Sequence, residues 1–482
     1  MNKRNVLLIS VDHWFADLMG CAGHPVVMTP TLDQLAADGI RFTRCFSTCP
    51  VCIPARRSLM TGMFPSSHGD RVYSDRMPMP DVTTLAQAFR NAGYQAYAVG
   101  KLHVYPQRSR IGFDDVVLME EGRYEFGCVD DYQVWLGEQG YAGQEFLHGM
   151  GNNSYLTRPW HLGEQMHPTN WATYQMMKQI KRKDPTRPAF YYISYQFPHP
   201  PLVPLPCFLD CYDPGEINMP EALDDWQDDS TILRLLKEQA APYSEKEIRR
   251  ARRAFYALCT QIDFQIRALI GTLRETGLLK ETVIAFLSDH GDTLFDHGIC
   301  GKRTFYQHSA NIPLILAGEP VKEWRGEVRD QVACLEDVMP TLLSLCGVDI
   351  PDSVEGIDLL HQQRKLLYGE IGEGRKATRM ATDGRYKLIY YPCGNVFQLF
   401  DLLHDPQEHH NLSGKPELEE KQKHLTDYLI SRLHGEDLSW LRDGCLIGFD
   451  AGEYARSPDY SLFNQRGLHW PPPSGYTSLG KT

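Results

Sequence analysis

Thr282-Val-Ile-Ala-Phe-Leu-Ser288-Asp289-His290-Gly291-Asp292 is a short apolar run that stops abruptly in polar, metal-seeking side chains. A run of this length without alternation suits a strand buried on both faces. Working back, Ser244-x-x-Glu247 is a capping box, and Ile248, Phe255, Leu258, Ile262, Ile266 and Leu269 then share one helical face until Gly277. A long amphipathic helix feeding a buried strand is the crossover unit of a parallel sheet. Similar units recur along the chain. Asn5 to Asp12 reads as a first strand, followed by a helix capped at Thr29-Pro30 that runs through Asp38 and ends at Gly39. Leu85, Phe89 and Ala92 lie at helical spacing before a strand at Gln95 to Gly100, and a helix around Trp171 to Lys181 precedes a strand at Ala189 to Gln196. The pattern predicts an α/β fold with a large, mostly parallel sheet sandwiched by helices.

Ligands of such sheets bind beyond the C-terminal ends of the strands. The reactive side chains fall there: Asp12-His13 after the first strand, Lys101 and His103 after the second, His199 after the third, Asp289-His290 after the fourth, and Lys302 a short loop later. Two Asp-His pairs suggest a divalent metal with oxygen and nitrogen ligands. Taken singly, each has a plainer reading. A strand-end aspartate can cap the next helix, a histidine can pack in a loop, and lysines are usually solvated.

A second stretch is Cys52-Ile-Pro-Ala-Arg56-Arg-Ser-Leu-Met-Thr61-Gly62, where Pro54 suits a first helical turn and Gly62 a stop. A group at Cys52 would sit at the positive end of that helix, beside unpaired N–H groups. Cys45-x3-Cys49-x2-Cys52 also matches the spacing by which radical-SAM enzymes hold an iron–sulfur cluster. A third reading makes all three cysteines buried apolar packing.

With 482 residues the chain is long enough for more than one core. A net charge of −12 argues against nucleic-acid binding, and any anionic substrate needs locally positive groups. No stretch approaches the length of a membrane span, so no membrane partner is expected. Thirteen cysteines without a disulfide framework fit a reducing, cytoplasmic setting. Near 350–365 the pattern changes to a polar link, followed by strand-like Arg385 to Tyr391 and Val396 to Leu402. We therefore expect an α/β catalytic domain over residues 1–360 and, over 361–482, a smaller α+β subdomain with an antiparallel sheet. Its Pro- and Tyr-rich tail from Ser457 would lie along its own domain or a partner subunit of a homo-oligomer.

Cys-x-Pro-Ala-Arg-x-x-Leu-x-Thr-Gly resembles the signature of the type I, formylglycine-dependent sulfatases of the alkaline-phosphatase superfamily. The match extends over most of the chain: Leu-Ile-Ser-Val-Asp12-His13, Gly100-Lys101-Leu-His103, Pro198-His199-Pro-Pro, Ser288-Asp-His-Gly-Asp292 with His297, Lys302 and Tyr306, and Asp405-Pro-x-Glu-x-x-Asn411-Leu. A cluster protein has no need of these elements.

The resemblance implies a sulfatase acting on an aryl or carbohydrate sulfate ester. It implies one divalent metal at Asp12, His13, Cys52, Asp289 and His290, with calcium first and manganese or magnesium as alternatives. Cys52 would be converted to formylglycine by a formylglycine-generating or anaerobic sulfatase-maturing enzyme. Arg56, Lys101 and Lys302 would stabilise transition-state charge, His199 with Lys302 would protonate the leaving alcohol, and His103 would deprotonate the second hydroxyl of the hydrate. His13 replaces a commoner acidic ligand, which leaves phosphonate monoester or phosphodiester hydrolysis as the alternative. Asn311 stands where an arginine is common, and Ala55 where serine is. Tyr105, Arg108, Tyr124, Phe126, Trp135, Tyr155, Arg158 and Trp160 in the long loops would shape the leaving-group pocket.

Overall fold

The computed structural model describes residues 4–121, 129–220 and 243–450. The main strands are β1 (Asn5–Val11), β2 (Ile40–Phe46), β3 (Gln95–Gly100), β4 (Asp115–Leu118), β5 (Ala189–Ser194), β6 (Thr282–Ser288), β7 (Asn311–Ala317) and β8 (Glu327–Cys334). They form one sheet in the order β4-β3-β5-β1-β6-β7-β2-β8. Every residue of β1, β5 and β6 is buried, as their unbroken apolar runs predict. Side chains alternate between two packing layers. Leu7, Ile9 and Val11 join the cluster built with the helix Glu245–Glu275, whereas Val6 and Leu8 face the opposite cluster with Leu59 and Met339.

The sheet is parallel except at β7, which runs antiparallel to both β6 and β2. Neither β2 nor β7 is evident from sequence, for a local reason. Pro313 cannot donate a ladder bond, and β2 carries an irregularity between Phe42 and Cys45 that faces this stretch. Helix α1 (Pro30–Ala37) starts where predicted, but Thr29 does not cap it with its side chain. The carboxylate of Asp263, on the long helix, accepts the N–H groups of Thr31 and Leu32 at 3.0 and 2.8 Å instead. That cap ties α1 to its neighbour.

A second, antiparallel sheet follows the order β12-β11-β10-β9, from β9 (Leu367–Ile371), β10 (Thr378–Thr382), β11 (Tyr386–Tyr391) and β12 (Val396–Asp401). The sequence reading finds β11 and β12 but not β9 and β10, because Glu370 and Arg379 disguise them. Both charges are buried through ion pairs. Leu425 and Leu429 of the helix Glu419–Arg432 cover one face of this sheet. The other face packs Met380, Ile389 and Phe400 against Phe46, Cys49 and Val51 of the large sheet's rim. The two sheets therefore share a core directly beneath the segment that leads to Cys52.

The long region 105–165, expected as loop, contains β4 and the helix Asp131–Glu138. Tyr124, Phe126 and the tail from Ser457 lie outside the described residues. Among the described residues no helix is long and apolar enough to cross a membrane.

Candidate active site

Helix α2 (Cys52–Thr61) begins at the cysteine, after Val51 in extended backbone, and Gly62 ends it in the left-handed region with its N–H on Ser58 O at 2.8 Å. Every residue of α2 is buried, so its position is fixed by packing on all sides. The Cys52 thiol sits at the N-terminus of α2, 3.0 Å from Lys302 Nζ, 3.2 Å from His290 Nε2 and 3.8 Å from Asp12 Oδ1. Burial alone would raise its pKa. Lys302, His290 and Lys101, with a hydrogen bond to His103, outweigh burial and hold the thiol well below its ordinary value. The pocket is thus built to favour negative charge at this atom.

Around it the strand ends converge as predicted. Asp12 follows β1, and its Oδ2 accepts from Lys101 Nζ at 2.6 Å and lies 3.4 Å from Arg56 NH2. Asp289 follows β6 and accepts from Arg56 Nε at 2.9 Å. Burial and the Cys52 charge push the Asp12 carboxyl up, but Lys101, His199 and Arg56 bring it well below the usual range. Asp289 is raised, by burial and by Asp12 beside it. One carboxylate is therefore stabilised as an anion and the other strained, which is the electrostatic condition a cation would relieve.

The histidines are oriented by their outer nitrogens. His290 Nδ1 lies 2.9 Å from Gly291 O, and His13 Nδ1 lies 2.6 Å from Asp292 Oδ2. In both, an N–H directed at these acceptors leaves the Nε2 lone pair facing inward. Asp12, Cys52, Asp289 and His290 present donor atoms all within 4.8 Å of one another, and Asp12, His13, Cys52 and His199 form a second, overlapping set. His13 Nε2 also accepts from Lys302 Nζ at 2.6 Å. Its place is thus between the candidate metal set and the lysine.

His199 Nδ1 donates to Pro200 O at 2.6 Å, and its ring meets that of His13 edge-on with centroids 4.4 Å apart. Burial and the Lys302 charge hold its pKa well below normal. His103 has a left-handed backbone, φ 60°, and its Nε2 lies 3.2 Å from Tyr73 Oη. Glu120 fixes this turn by accepting the N–H groups of Leu102 and His103.

Arg56 departs from its expected part. Its nitrogens are taken by Asp289, Asp12, Lys101 O and Ser194 Oγ, so it braces the carboxylates rather than facing a substrate. Cys45 and Cys49 do not join Cys52 in a ligand set among the described residues. They fall in different apolar clusters, and burial raises both thiols well above their normal value. Two expected pocket residues serve elsewhere: Trp135 packs with Tyr132 and Trp171, and the buried Tyr155 donates a short hydrogen bond to Asp292. His297 packs at a tilt against the Tyr306 ring, with centroids 4.7 Å apart. Asn311 donates to Thr43 O at 3.1 Å and so has a structural role at the sheet rim.

Glu121 is a site residue that the sequence reading missed, bonded to Lys101 Nζ at 2.7 Å. The available signal was its position just past the short strand β4, hidden in a region read as loop.

The sulfatase family pattern matches residues 4–348, and that of N-sulphoglucosamine sulphohydrolase, C-terminal, matches residues 295–434. The chain is 33% identical over 459 residues to an arylsulfatase of Clostridium perfringens, covering 90% of this chain and 95% of the relative. It is 30% identical over 445 residues to a choline-sulfatase of Rhizobium meliloti, covering 88% and 85%. The phosphonate monoester hydrolase of Agrobacterium radiobacter shares the fold, with a TM-score of 0.78 at 22% identity over 89% of this chain and 95% of that one. With a strand-end rim of this composition and a family match that spans most of its length, the chain belongs to the sulfatases, hydrolases of sulfuric esters.

Proposed function

We propose that the chain hydrolyses an aryl or carbohydrate sulfate monoester at position 52, after a formylglycine-generating or anaerobic maturing enzyme has converted Cys52. The carrying observation is the Cys52 thiol at the N-terminus of α2, between Lys302 at 3.0 Å and His290 at 3.2 Å. A thiol in that place favours charge but cannot complete the cycle. Formylglycine supplies a hydrated aldehyde, with one hydroxyl for attack on sulfur and a second whose deprotonation releases sulfate.

One divalent ion is proposed at Asp12, Asp289, His290 and position 52, with His13 adjoining. The donors fit: two buried carboxylates face two imidazoles whose outer nitrogens are already engaged. Charge supports the same conclusion. Arg56, Lys101 and Lys302 are matched or exceeded by Asp12, Asp289, Asp292 and Glu121, so the rim is not positive enough for a sulfate ester by itself. The ion would supply charge to the non-bridging oxygens and acidify the attacking hydroxyl. Calcium is the ion implied by family resemblance, and the single His290 nitrogen among oxygen donors leaves manganese as the alternative.

The chain's own residues divide the remaining work. Lys101 and Arg56 hold Asp12 and Asp289 in place. Lys302 offers its ammonium to the ester oxygens. His199 is neutral in the free protein, and the negative charge of a bound ester would offset Lys302 and let it carry the proton needed by the leaving alcohol. His103 would take the proton from the second hydroxyl.

No disulfide joins two of the described cysteines, which supports a reducing, cytoplasmic setting. His13, an imidazole where a carboxylate is common, favours phosphonate monoester hydrolysis as a second reading. A panel of aryl, sugar and choline sulfates with one phosphonate ester, assayed alongside peptide mass spectrometry of the Cys52 segment, tests both. Sulfate release proportional to conversion is expected. Full turnover by protein that carries only the intact thiol would overturn the proposal, and greater efficiency on the phosphonate would favour the second reading.

A further inference from the structure

The site has one neighbour to which none of the roles above has been given. Tyr73 is a half-buried tyrosine with its backbone at φ 94°, a conformation that a bulky residue adopts only when the surroundings force it. The forcing groups are clear. The Asp70 carboxylate accepts the N–H groups of Val72, Tyr73 and Ser74 at 3.0–3.1 Å, folding the loop around itself. Arg71 locks the loop to the antiparallel sheet, through Glu370 and Asp437 at 2.9 Å each, and its carbonyl accepts the Gly372 N–H at 2.7 Å. The Arg303 guanidinium, next to Lys302, lies over the Tyr73 ring at 5.6 Å. All this strain is spent on one placement: the phenol oxygen 3.2 Å from His103 Nε2, with the two rings edge to face at 5.6 Å.

We propose that Tyr73 is a positioning residue for His103. Its phenol oxygen, within hydrogen-bond distance of Nε2, sets the plane of the ring and holds it against the group at position 52. The proposal rests on His103 acting as the base of the second half of the reaction, and deepens that reading. In that step the O–H proton of the second hydroxyl passes to His103 Nδ1. The O–H electron pair forms C=O as the bond from carbon to the sulfate oxygen breaks, and sulfate leaves with that bonding pair. A base works only where its lone pair can reach the proton it takes, so the plane in which the ring is held decides how well the step runs. The C-terminal sheet thereby contributes to catalysis without touching substrate, because Arg71 carries its position to Tyr73.

The test is Tyr73→Phe in the full chain, which keeps the ring and removes only the oxygen. In unconverted protein, with Cys52 intact, 15N–1H correlation spectra of the histidines should show the His103 ring signals shifted and broadened in the variant relative to the parent. In converted, metal-loaded protein kcat should fall by on the order of tenfold while KM changes less than twofold. Thermal unfolding should be unaltered within about 2 °C, which separates positioning from loss of fold. Unchanged His103 ring signals in Tyr73→Phe, or a change in KM alone, would overturn the proposal while leaving the base assignment intact. Full activity of His103→Ala would overturn the base assignment itself.

Discussion

Arg56 has every nitrogen engaged within the protein, and this decides what its replacement would do. Lysine at 56 keeps the charge but can reach only one of Asp12 and Asp289, leaving the other buried and uncompensated. Arg56→Lys should cost about 3 kcal/mol of stability, measured by denaturant unfolding of the metal-free protein, and much less with metal bound. At Cys52 the expectation is sharper. Cys52→Ala should abolish turnover, whereas Cys45→Ala and Cys49→Ala should keep it, since those thiols are packing groups in separate clusters. Loss of activity in either outer variant without loss of fold would contradict that division. At His290, exchange of an imidazole nitrogen for an amide oxygen by His290→Asn should shift preference from manganese toward calcium. Metal content after dialysis against equal concentrations of both ions measures the shift.

Among the elements, the junction of β3 and β5 is the least tolerant. Gly100 has φ 100°, and a Cβ there would come within 2.0 Å of Ser194 O, so neither the conformation nor the space admits a side chain. Gly100→Ala should destabilise the protein by more than about 1 kcal/mol. It should also lower activity beyond that loss, because Lys101 is the next residue and bonds Asp12 from a backbone fixed by Ser194 O. Activity per folded molecule, compared with that of a destabilised variant remote from the rim, tests the second part. Helix α2 depends less on its own residues. Val51 offers no side-chain cap, and burial of the whole helix does what a cap would otherwise do.

At the scale of the molecule, buried charge ties the Arg71 loop to the antiparallel sheet. Asp437 accepts from both Arg71 and Arg379, so Asp437→Ala should cost about 3–5 kcal/mol and loosen the Tyr73 loop with it. Acid should do the same in stages. Burial holds the histidines His68 and His167 down at about 3, below their ordinary 6.5. Their contribution to stability is full above pH 6.5 and declines as pH falls toward 3, because the unfolded chain takes up those protons first. Burial works against Glu370, but His434 and Arg379 hold it below its ordinary 4.5, so its contribution is present above pH 4.5 and lost as pH falls through the lowered value. Denaturant midpoints followed from pH 7 to pH 3 should fall throughout, with a steeper fall below pH 4.5.

The class of fold, the helix entrance at Cys52 and the identity of most of the rim can be read from the chain alone. Runs such as Thr282 to Ser288 must be buried on both faces, and the side chains that end them must then share one edge. Asp12, Lys101, His103, His199, Asp289, His290 and Lys302 were legible for that reason. What each of them touches there depends on the tertiary structure. Whether Arg56 meets substrate or carboxylates, and whether His13 faces metal or lysine, depends on distances between residues hundreds of positions apart. The buried charges of β9 and β10 and the hold of Tyr73 on His103 were hidden for the same cause. Each is stabilised by a partner from a distant part of the chain, and local pattern carries no information about which partner arrives.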